Sequence, residues 1–374
     1  MKRKLKKVPQ NILLGLFGSV LALVLLEFGL RLLIPHNKYY ALYPNLNIQT
    51  EFIANQYYSG LPLEFQYTSN DEGYRSKHKL EEGRYGILAL GGSTTECTYI
   101  GEKANWTFLL EEKLNAQLNT EVTIANVGSA GMSSEHHVVQ LEKLEPQLGH
   151  VNAVIILVGI NDFIKSLYSP EHFSLDKRTL LAKAFAKYPR SENEKWYQRT
   201  ELWMHYRDFR VVRAKKRHGA IKSFVTTISK RRNALKNARV SSVGLSLNNA
   251  LAEYSSNIQS IVDYCRDRNI MPILITQPTL WHHGMSEREF ELTALGAYIE
   301  GDSTYSASAY EQGMNGFNNV LREFANDSVR VIDLANILPK DTIHLYDHCH
   351  FTMEGSYAVS EILLSDLLST LPIK

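Results

Sequence analysis

Residues 85–95 read Tyr-Gly-Ile-Leu-Ala-Leu-Gly-Gly-Ser-Thr-Thr. A short aliphatic run that ends at two glycines is typical of a buried parallel strand that stops at a tight turn. Ser93 is the first side chain after the turn, so we expect it at the carboxyl end of a strand and the amino end of a helix. Free N–H groups and the helix dipole favour negative charge at that position. On this stretch alone, Ser93 is either a helix cap or a nucleophile.

Strands and helices alternate after this stretch. A helix is predicted to begin at a cap on Asn105, and a long helix is predicted over about 247–268. Further strands are predicted at Val122–Val127, Ala153–Val158, Met271–Thr276 and Val329–Leu334. Alternation of this kind requires right-handed crossovers, so we predict a five-stranded parallel sheet with helices on both faces, a three-layer α/β/α sandwich. Such sheets place their sites at the carboxyl ends of the strands.

Residues 1–35 have the composition of a membrane anchor. Five Lys and Arg residues precede Val8, and a charge-free, mostly apolar run follows from Ile12 to Leu26. The apolar character resumes from Phe28 to Ile34. Residues 12–34 would form a helix about 34 Å long, enough to cross a bilayer core of about 30 Å.

The charges around this span predict its orientation. The positive flank favours a cytoplasmic N-terminus, which places everything after Pro35 in the periplasm or outside the cell. Glu27 and Arg31 lie one helical turn apart, where they can pair near the far interface. A cleaved signal peptide is the alternative, although the sequence has no convincing small-x-small cleavage site and no lipobox cysteine. Residues 36–80 are interpreted as a stalk and an irregular lead-in.

The net charge of +2 conceals a strongly basic segment. Residues 165–240 hold twenty Lys and Arg against six Asp and Glu, with Trp203, Tyr206 and Phe209 interleaved among them. We predict a basic helical insertion over about 163–245. It is a solvated helical face, a surface for anionic lipid or a surface for an acidic glycan. Nucleic acid is not expected as a partner of an exported domain.

Polar residues at the predicted strand ends suggest a serine-based site. Acyl transfer from a serine needs a base, a carboxylate that orients the base, and donors aimed at the oxyanion. His350 could accept the proton of Ser93, with Asp347 fixing the imidazole tautomer. The donors would be the backbone N–H groups of Ser93 and Gly131 and the side-chain amide of Asn161. Chain spacing alone leaves open whether these residues meet.

Four short blocks that carry these residues stand in the order found in SGNH hydrolases, the GDSL esterase superfamily. They read GGST at 91–94, NVGSAG at 126–131, GIND at 159–162 and DHCH at 347–350. The sequence resembles this superfamily over about 80–162 and 245–372, which leaves the anchor and the basic insertion outside. Gly92 departs from the motif, which has Asp there, but that position is not a triad member in the family.

The resemblance implies a flavodoxin-like SGNH fold over 81–372, interrupted by the basic insertion. It implies a catalytic triad of Ser93, Asp347 and His350 and an oxyanion hole of Ser93, Gly131 and Asn161. It implies no cofactor and no metal. The alternative of a metal cluster around His344, His348 and His350 is not needed by a serine hydrolase.

Two further features leave alternatives open. Cys97 and Cys349 are interpreted as small buried apolar residues, with a disulfide across the site as the alternative. The stretch 279–302, which follows the fourth predicted strand of the sheet, is either a substrate wall or an ordinary surface loop.

Together these features predict a membrane-anchored serine esterase that acts through an acyl-serine intermediate. From its location, the expected substrate is an O-acyl ester, most plausibly an acetyl ester, of an envelope or extracellular polysaccharide. The alternatives are a polysaccharide O-acyltransferase with the same triad, a lysophospholipase or other lipid esterase, and a catalytically idle scaffold of an export complex. The intact Ser93, Asp347 and His350 argue against the scaffold.

Overall fold

A computed structural model describes residues 10–33, 38–51, 58–169, 175–189, 194–215, 219–241 and 244–372. The chain forms two compact units, one of Met1–Lys38 with Tyr188–Ala214 and one of Tyr39–Lys187 with Lys215–Lys374. The basic residues before Val8, and Pro35, lie outside the described residues. The helices and strands are α1 Gln10–Leu33, β1 Asn47–Glu51, β2 Glu64–Thr68, β3 Tyr85–Gly91, α2 Ser93–Glu96, α3 Trp106–Gln117, β4 Val122–Asn126, α4 Ser134–Leu144, β5 Ala153–Leu157, α5 Ile160–Tyr168, α6 Lys177–Ala184, α7 Glu201–Lys215, α8 Gly219–Asn237, β6 Arg239–Val240, α9 Asn248–Asp267, β7 Met271–Ile275, α10 Glu287–Leu292, β8 Ser303–Thr304, α11 Ala307–Glu323, β9 Arg330–Ile332, α12 Leu334–Ile337 and α13 Met353–Thr370.

The larger unit is built on a five-stranded parallel sheet. Its strand order is β4-β3-β5-β7-β9, with each neighbouring pair parallel. Helix α13 packs with α3, and α9 packs with α4 and α11. Every residue of β3, β4 and β5 is buried, as expected for strands covered by helices. The predicted parallel sheet of an α/β fold is confirmed, and Asn105 caps α3 through its side chain.

The described part of residues 36–80, which were predicted as a stalk and an irregular lead-in, contains two strands. Strands β1 and β2 pair antiparallel in register from Asn47 with Thr68 to Glu51 with Glu64. Alternate residues of β2, Phe65 and Tyr67, are buried. Beyond β2, Arg75 exchanges two backbone hydrogen bonds of 2.9 Å with Asn126 at the end of β4. Side chains alternate between the two faces of a strand, and one face of β2 buries the rings of Phe65 and Tyr67. The described part of this segment therefore belongs to the folded body.

The smaller unit contains α1, the single helix of the described chain that is long and apolar enough to cross a membrane. By length and composition it fits a membrane anchor or a signal sequence. Its Glu27 and Arg31 form the predicted ion pair at 2.7 Å. The Glu27 carboxylate also accepts the backbone N–H groups of Glu201 and Leu202 at 3.0 and 3.1 Å, so it caps the amino end of α7.

Candidate active site

Ser93 follows β3 after a single residue, Gly92, and is the first residue of α2. The capping position of α2 is Gly92, so the Ser93 side chain does not cap the helix. Its Oγ lies 2.7 Å from His350 Nε2. The structure therefore places the Ser93 hydroxyl in hydrogen-bond reach of an imidazole.

His350 is oriented by Asp347. The imidazole Nδ1 lies 2.8 Å from Asp347 Oδ2. Asp347 is fully buried, and its Oδ1 accepts the backbone N–H groups of Cys349 and His350 at 3.0 and 2.9 Å. The carboxylate thus closes the tight turn between Asp347 and His350 and accepts a hydrogen bond from the Nδ1–H group. The unprotonated Nε2 is then able to accept a proton from Ser93.

A second Asp-x-x-His sequence lies six residues upstream. His344 Nδ1 lies 2.7 Å from Asp341 Oδ1, so this pair has similar local geometry. The described hydrogen bonds join His350, and not His344, to Ser93. The two Asp-x-x-His motifs therefore differ in their contact with Ser93, which cannot be predicted from the spacing of Asp and His.

The pKa values of the Asp347 and His350 side chains shift in opposite directions. Burial alone would raise the pKa of the Asp347 carboxyl, but His350, His348 and the N–H donors hold it well below its usual range. Burial, the largest single effect, would lower the pKa of His350, but the Asp347 carboxylate and Cys349 together outweigh it and raise the pKa well above its usual 6.5. A buried carboxylate beside an imidazole stabilises the imidazolium form, which a general base becomes during reaction.

Asn161 and Gly131 are the two residues that were predicted to supply oxyanion donors together with Ser93. The Asn161 side-chain nitrogen donates to the backbone oxygen of Met132 at 2.8 Å. A Cβ atom on Gly92 would lie 2.5 Å from this nitrogen, which explains glycine next to Ser93 in this chain. Gly131 has φ +78°, a conformation that favours glycine, and no atom lies within 4 Å of where its Cβ would be. Its backbone conformation therefore accounts for the glycine without any contact to a neighbouring atom.

Two carboxylates hold the loop that contains Gly131, and sequence analysis did not assign them a role. Glu96 Oε2 accepts the backbone N–H of Ala130 at 2.7 Å. Asp162 accepts the backbone N–H and the hydroxyl of Ser134 at 3.0 and 2.6 Å. Burial raises the pKa of Asp162 to about 6, against the lowering effect of the Ser134 hydrogen bonds. Its position beside Asn161 in the GIND block was the available signal.

A cavity of about 230 Å³ opens beside Ser93, Asp347 and His350. Its other lining residues are mainly apolar or aromatic, and they include Cys97, Tyr99, Ile100, Leu295, Tyr346 and Phe351. Leu295 belongs to the stretch 279–302, so part of that stretch lines the cavity. Cavities with apolar walls next to a polar cluster are the usual form of a small-molecule site.

The structure bears on two alternatives that the sequence left open, a disulfide between Cys97 and Cys349 and a metal cluster that includes His344. Cys97, Cys265 and Cys349 are all free and buried, so no disulfide joins Cys97 to Cys349. Burial raises the pKa of the Cys97 thiol to about 12. The alternative metal cluster of His344, His348 and His350 would need His344, whose Nδ1 instead lies 2.7 Å from Asp341 Oδ1.

Comparison with known proteins connects this geometry to a family. The model of the GDSL-like lipase/acylhydrolase family matches residues 89–358, a range that contains all four sequence blocks. Comparison with curated proteins finds no match.

Similar solved structures include an acetyl xylan esterase at 12% identity, covering 75% of this chain and 99% of that chain with a TM-score of 0.41. The lipase/acylhydrolase from Enterococcus faecalis is 16% identical, with coverages of 78% and 98% and a TM-score of 0.40. The acetylxylan esterase from Geobacillus stearothermophilus is 13% identical, with coverages of 79% and 98% and a TM-score of 0.38. The family match spans most of the chain and does not depend on these structures. The chain therefore belongs to the GDSL-like lipase/acylhydrolase family.

Proposed function

We propose that this protein is a membrane-anchored serine esterase that hydrolyses O-acyl esters of an envelope or extracellular polysaccharide. Ester hydrolysis follows from the family, whereas the polysaccharide substrate and the anchoring are proposals. The observation that carries the proposal is the 2.7 Å contact between Ser93 Oγ and His350 Nε2, with Asp347 behind the imidazole.

The arrangement supports a two-step reaction. Ser93 Oγ attacks the ester carbonyl carbon while its proton passes to His350 Nε2, and Asp347 stabilises the resulting imidazolium. The N–H groups of Ser93 and Gly131 and the amide of Asn161 are the proposed donors to the oxyanion. Collapse of this intermediate expels the alcohol, which takes the proton from His350 and leaves an acyl group on Ser93. Water then attacks the acyl-serine with His350 as base, and the carboxylic acid leaves.

The cavity beside Ser93 is the proposed site of the acyl group. A cavity of about 150 Å³ is large enough to hold benzene, so one of about 230 Å³ has room for an acyl group of several carbons. Acetyl remains the predicted group, and the cavity extends the proposed range to short-chain acyl esters.

A helix of the basic insertion supports one wall of this cavity. Arg231 on α8 donates to the backbone oxygens of Ala294 and Ala297 at 2.8 and 2.6 Å. Leu295 lies between these two residues and lines the cavity. We therefore propose that α8 positions the acyl-binding wall through Arg231.

Replacing Leu295 is expected to change the acyl-chain preference. Leu295→Trp should fill the cavity and lower kcat/KM for a p-nitrophenyl hexanoate relative to the acetate by about tenfold or more, because each excluded methylene is worth about 0.8 kcal/mol. Ile337→Trp, at an exposed position of α12, is the control and should leave the ratio unchanged. Arg231→Met, which removes the two hydrogen bonds that hold this wall, should shift the ratio in the same direction as Leu295→Trp. Arg231→Lys should shift it less. An unchanged ratio in Leu295→Trp would place the acyl group elsewhere.

The decisive assay for the proposed function separates hydrolysis from transfer. The purified full-length chain is incubated with an O-acetylated polysaccharide, with and without an unacetylated acceptor glycan. Release of acetate that does not depend on the acceptor supports the esterase. Acetyl groups appearing on the acceptor would identify an acyltransferase, and activity only on lysophospholipid would identify a lipid esterase.

We further propose that α7 lies on an anionic leaflet at the carboxyl end of α1. Glu27, near that end, caps α7, and the exposed Trp203, Tyr206 and Phe209 follow along the helix. Arg210 and Arg213 lie over the rings of Tyr206 and Phe209, 5.8 and 5.9 Å from the ring centroids. Aromatic residues favour membrane interfaces, and each nearby cation contributes about 1 kcal/mol at an anionic surface.

Lipid contact of α7 can be measured in the full-length chain. In nanodiscs, brominated lipids are expected to quench wild-type tryptophan fluorescence more than that of Trp203→Phe, because Trp203 would sit among the lipids. Anionic lipid should increase this difference, and Arg210→Glu with Arg213→Glu should reduce it. Equal quenching of wild type and Trp203→Phe would show that α7 stays in water.

A further inference from the structure

The loop that carries Asp347 and His350 also contains two unassigned donor groups, His348 and Cys349. One ligand atom from each of these four residues lies within 4.8 Å of the others. Cys349 Sγ is 3.7 Å from His350 Nδ1, and His348 Nδ1 is 3.5 Å from Asp347 Oδ1. The loop thus gathers a thiol, two imidazoles and a carboxylate around one point.

His348 is fixed in place without a hydrogen bond at Nδ1. Its side chain is only 5% exposed, and within the described part of the chain its Nδ1 has no hydrogen-bond partner. The ring packs against Trp281, with centroids 5.5 Å apart, and against Gly296, where a Cβ would approach Cδ2 to 2.2 Å. A buried, unpartnered nitrogen is costly unless something else binds it.

The donor set fits zinc. Zn²⁺ binds thiolate, imidazole and carboxylate at about 2.0–2.3 Å, so its ligand atoms lie roughly 3.3–3.7 Å apart in a tetrahedral site. Two of the six ligand pairs, at 3.5 and 3.7 Å, already match, the contact between His350 and Asp347 would have to open slightly, and any pair near the upper limit of 4.8 Å would have to close. Mg²⁺ and Ca²⁺ prefer oxygen ligands and do not fit a thiolate site. Two of the four ligands, Asp347 and His350, also line the cavity beside Ser93.

We propose that Asp347, His348, Cys349 and His350 form an inhibitory zinc site inside the catalytic loop. Binding replaces the Cys349 thiol proton, which goes to solvent, with a zinc–sulfur bond. At His350, zinc takes Nδ1, so the remaining proton of the neutral ring moves to Nε2. An Nε2 that carries this proton cannot accept the proton of Ser93, and the carboxylate no longer orients the ring. The inhibition, though not the binding, rests on the proposed roles of Ser93 and His350.

Zinc inhibition is measured on the full-length chain after treatment with EDTA. Zinc chloride is expected to lower the rate of p-nitrophenyl acetate hydrolysis by about tenfold or more, and EDTA should restore it, while Mg²⁺ and Ca²⁺ have no effect. His348→Gln and Cys349→Ala should each raise the half-inhibitory zinc concentration by about tenfold or more, with every variant compared to its own zinc-free rate. His344→Gln is the matched control, because this histidine pairs with Asp341 in the same loop.

A binding measurement tests the site without the activity. Ser93→Ala should take one zinc ion per chain from a chromophoric chelator, and Ser93→Ala with His348→Gln and Cys349→Ala should not. Absence of zinc from Ser93→Ala, or equal inhibition of the wild type and the His348→Gln, Cys349→Ala double variant, would overturn the proposal. Zinc binding by a chain that hydrolyses no ester would instead overturn the proposed function and leave the zinc site standing.

Discussion

Ser93→Ala is expected to lower kcat/KM for p-nitrophenyl acetate by about 10⁴-fold or more, because it removes the hydroxyl that would form the acyl intermediate. The substitution removes one oxygen from a half-buried position, where it contacts His350 Nε2. Little change in the free energy of unfolding is expected. Rates and thermal unfolding of the purified full-length variant check both parts.

Ser129→Ala is the control for Ser93→Ala. It removes a hydroxyl at the same edge of the sheet, and it should change kcat/KM by less than about threefold. Activity of Ser93→Ala close to the wild type would remove the proposed mechanism, even though the family assignment would remain.

Asp347→Asn is expected to lower kcat by about 10⁴-fold and to change the pH dependence. The base works only when neutral, and the Asp347 carboxylate raises the pKa of His350 well above 6.5. Wild-type activity should therefore rise with pH through a value above 6.5. Without the carboxylate, burial lowers the pKa of His350, so the residual activity should rise at a lower pH. Profiles of kcat/KM between about pH 5 and pH 9 measure the shift.

Asp341→Asn is the matched control for Asp347→Asn. Asp341 and His344 have the same spacing and a similar contact of 2.7 Å, but the described hydrogen bonds do not join His344 to Ser93. This variant should keep the wild-type rate and profile. An unshifted profile in Asp347→Asn, or an equal loss in Asp341→Asn, would contradict the proposed pairing.

The central sheet could be predicted because its strands are continuous apolar runs that end at glycine or polar residues. Strands β3 and β5 are buried along their whole length, so neither face needs a polar pattern. Strands β1 and β2 were missed because only Phe65 and Tyr67 alternate clearly, among neighbours rich in Tyr and Asn. Such weak alternation is also typical of irregular segments, which is why residues 36–80 are predicted as a stalk and an irregular lead-in.

Part of the site is invisible in the sequence for a physical reason. Ser93, Gly131, Asn161, Asp347 and His350 are marked by their residue types and their place after strands. Glu96 and Asp162 instead act on backbone N–H groups of Ala130 and Ser134, and such contacts leave no pattern along the chain. The position of Asp162 beside Asn161 in the GIND block was the one signal for this pair.

The role of the basic insertion could not be read from charge. The count of twenty Lys and Arg residues does not show whether they face solvent or hold another part of the protein in place. The structure shows that one of them, Arg231, donates to two carbonyl oxygens on either side of Leu295.

Covalent labelling tests the central claim most directly, since only an activated serine hydroxyl reacts rapidly with a fluorophosphonate. After brief exposure of the full-length chain and digestion, mass spectrometry should find one adduct, on Ser93, and the adduct should be strongly reduced in Asp347→Asn. An adduct on a different serine, or none on a folded chain, would contradict the proposal that Ser93 and His350 form a working nucleophile and base.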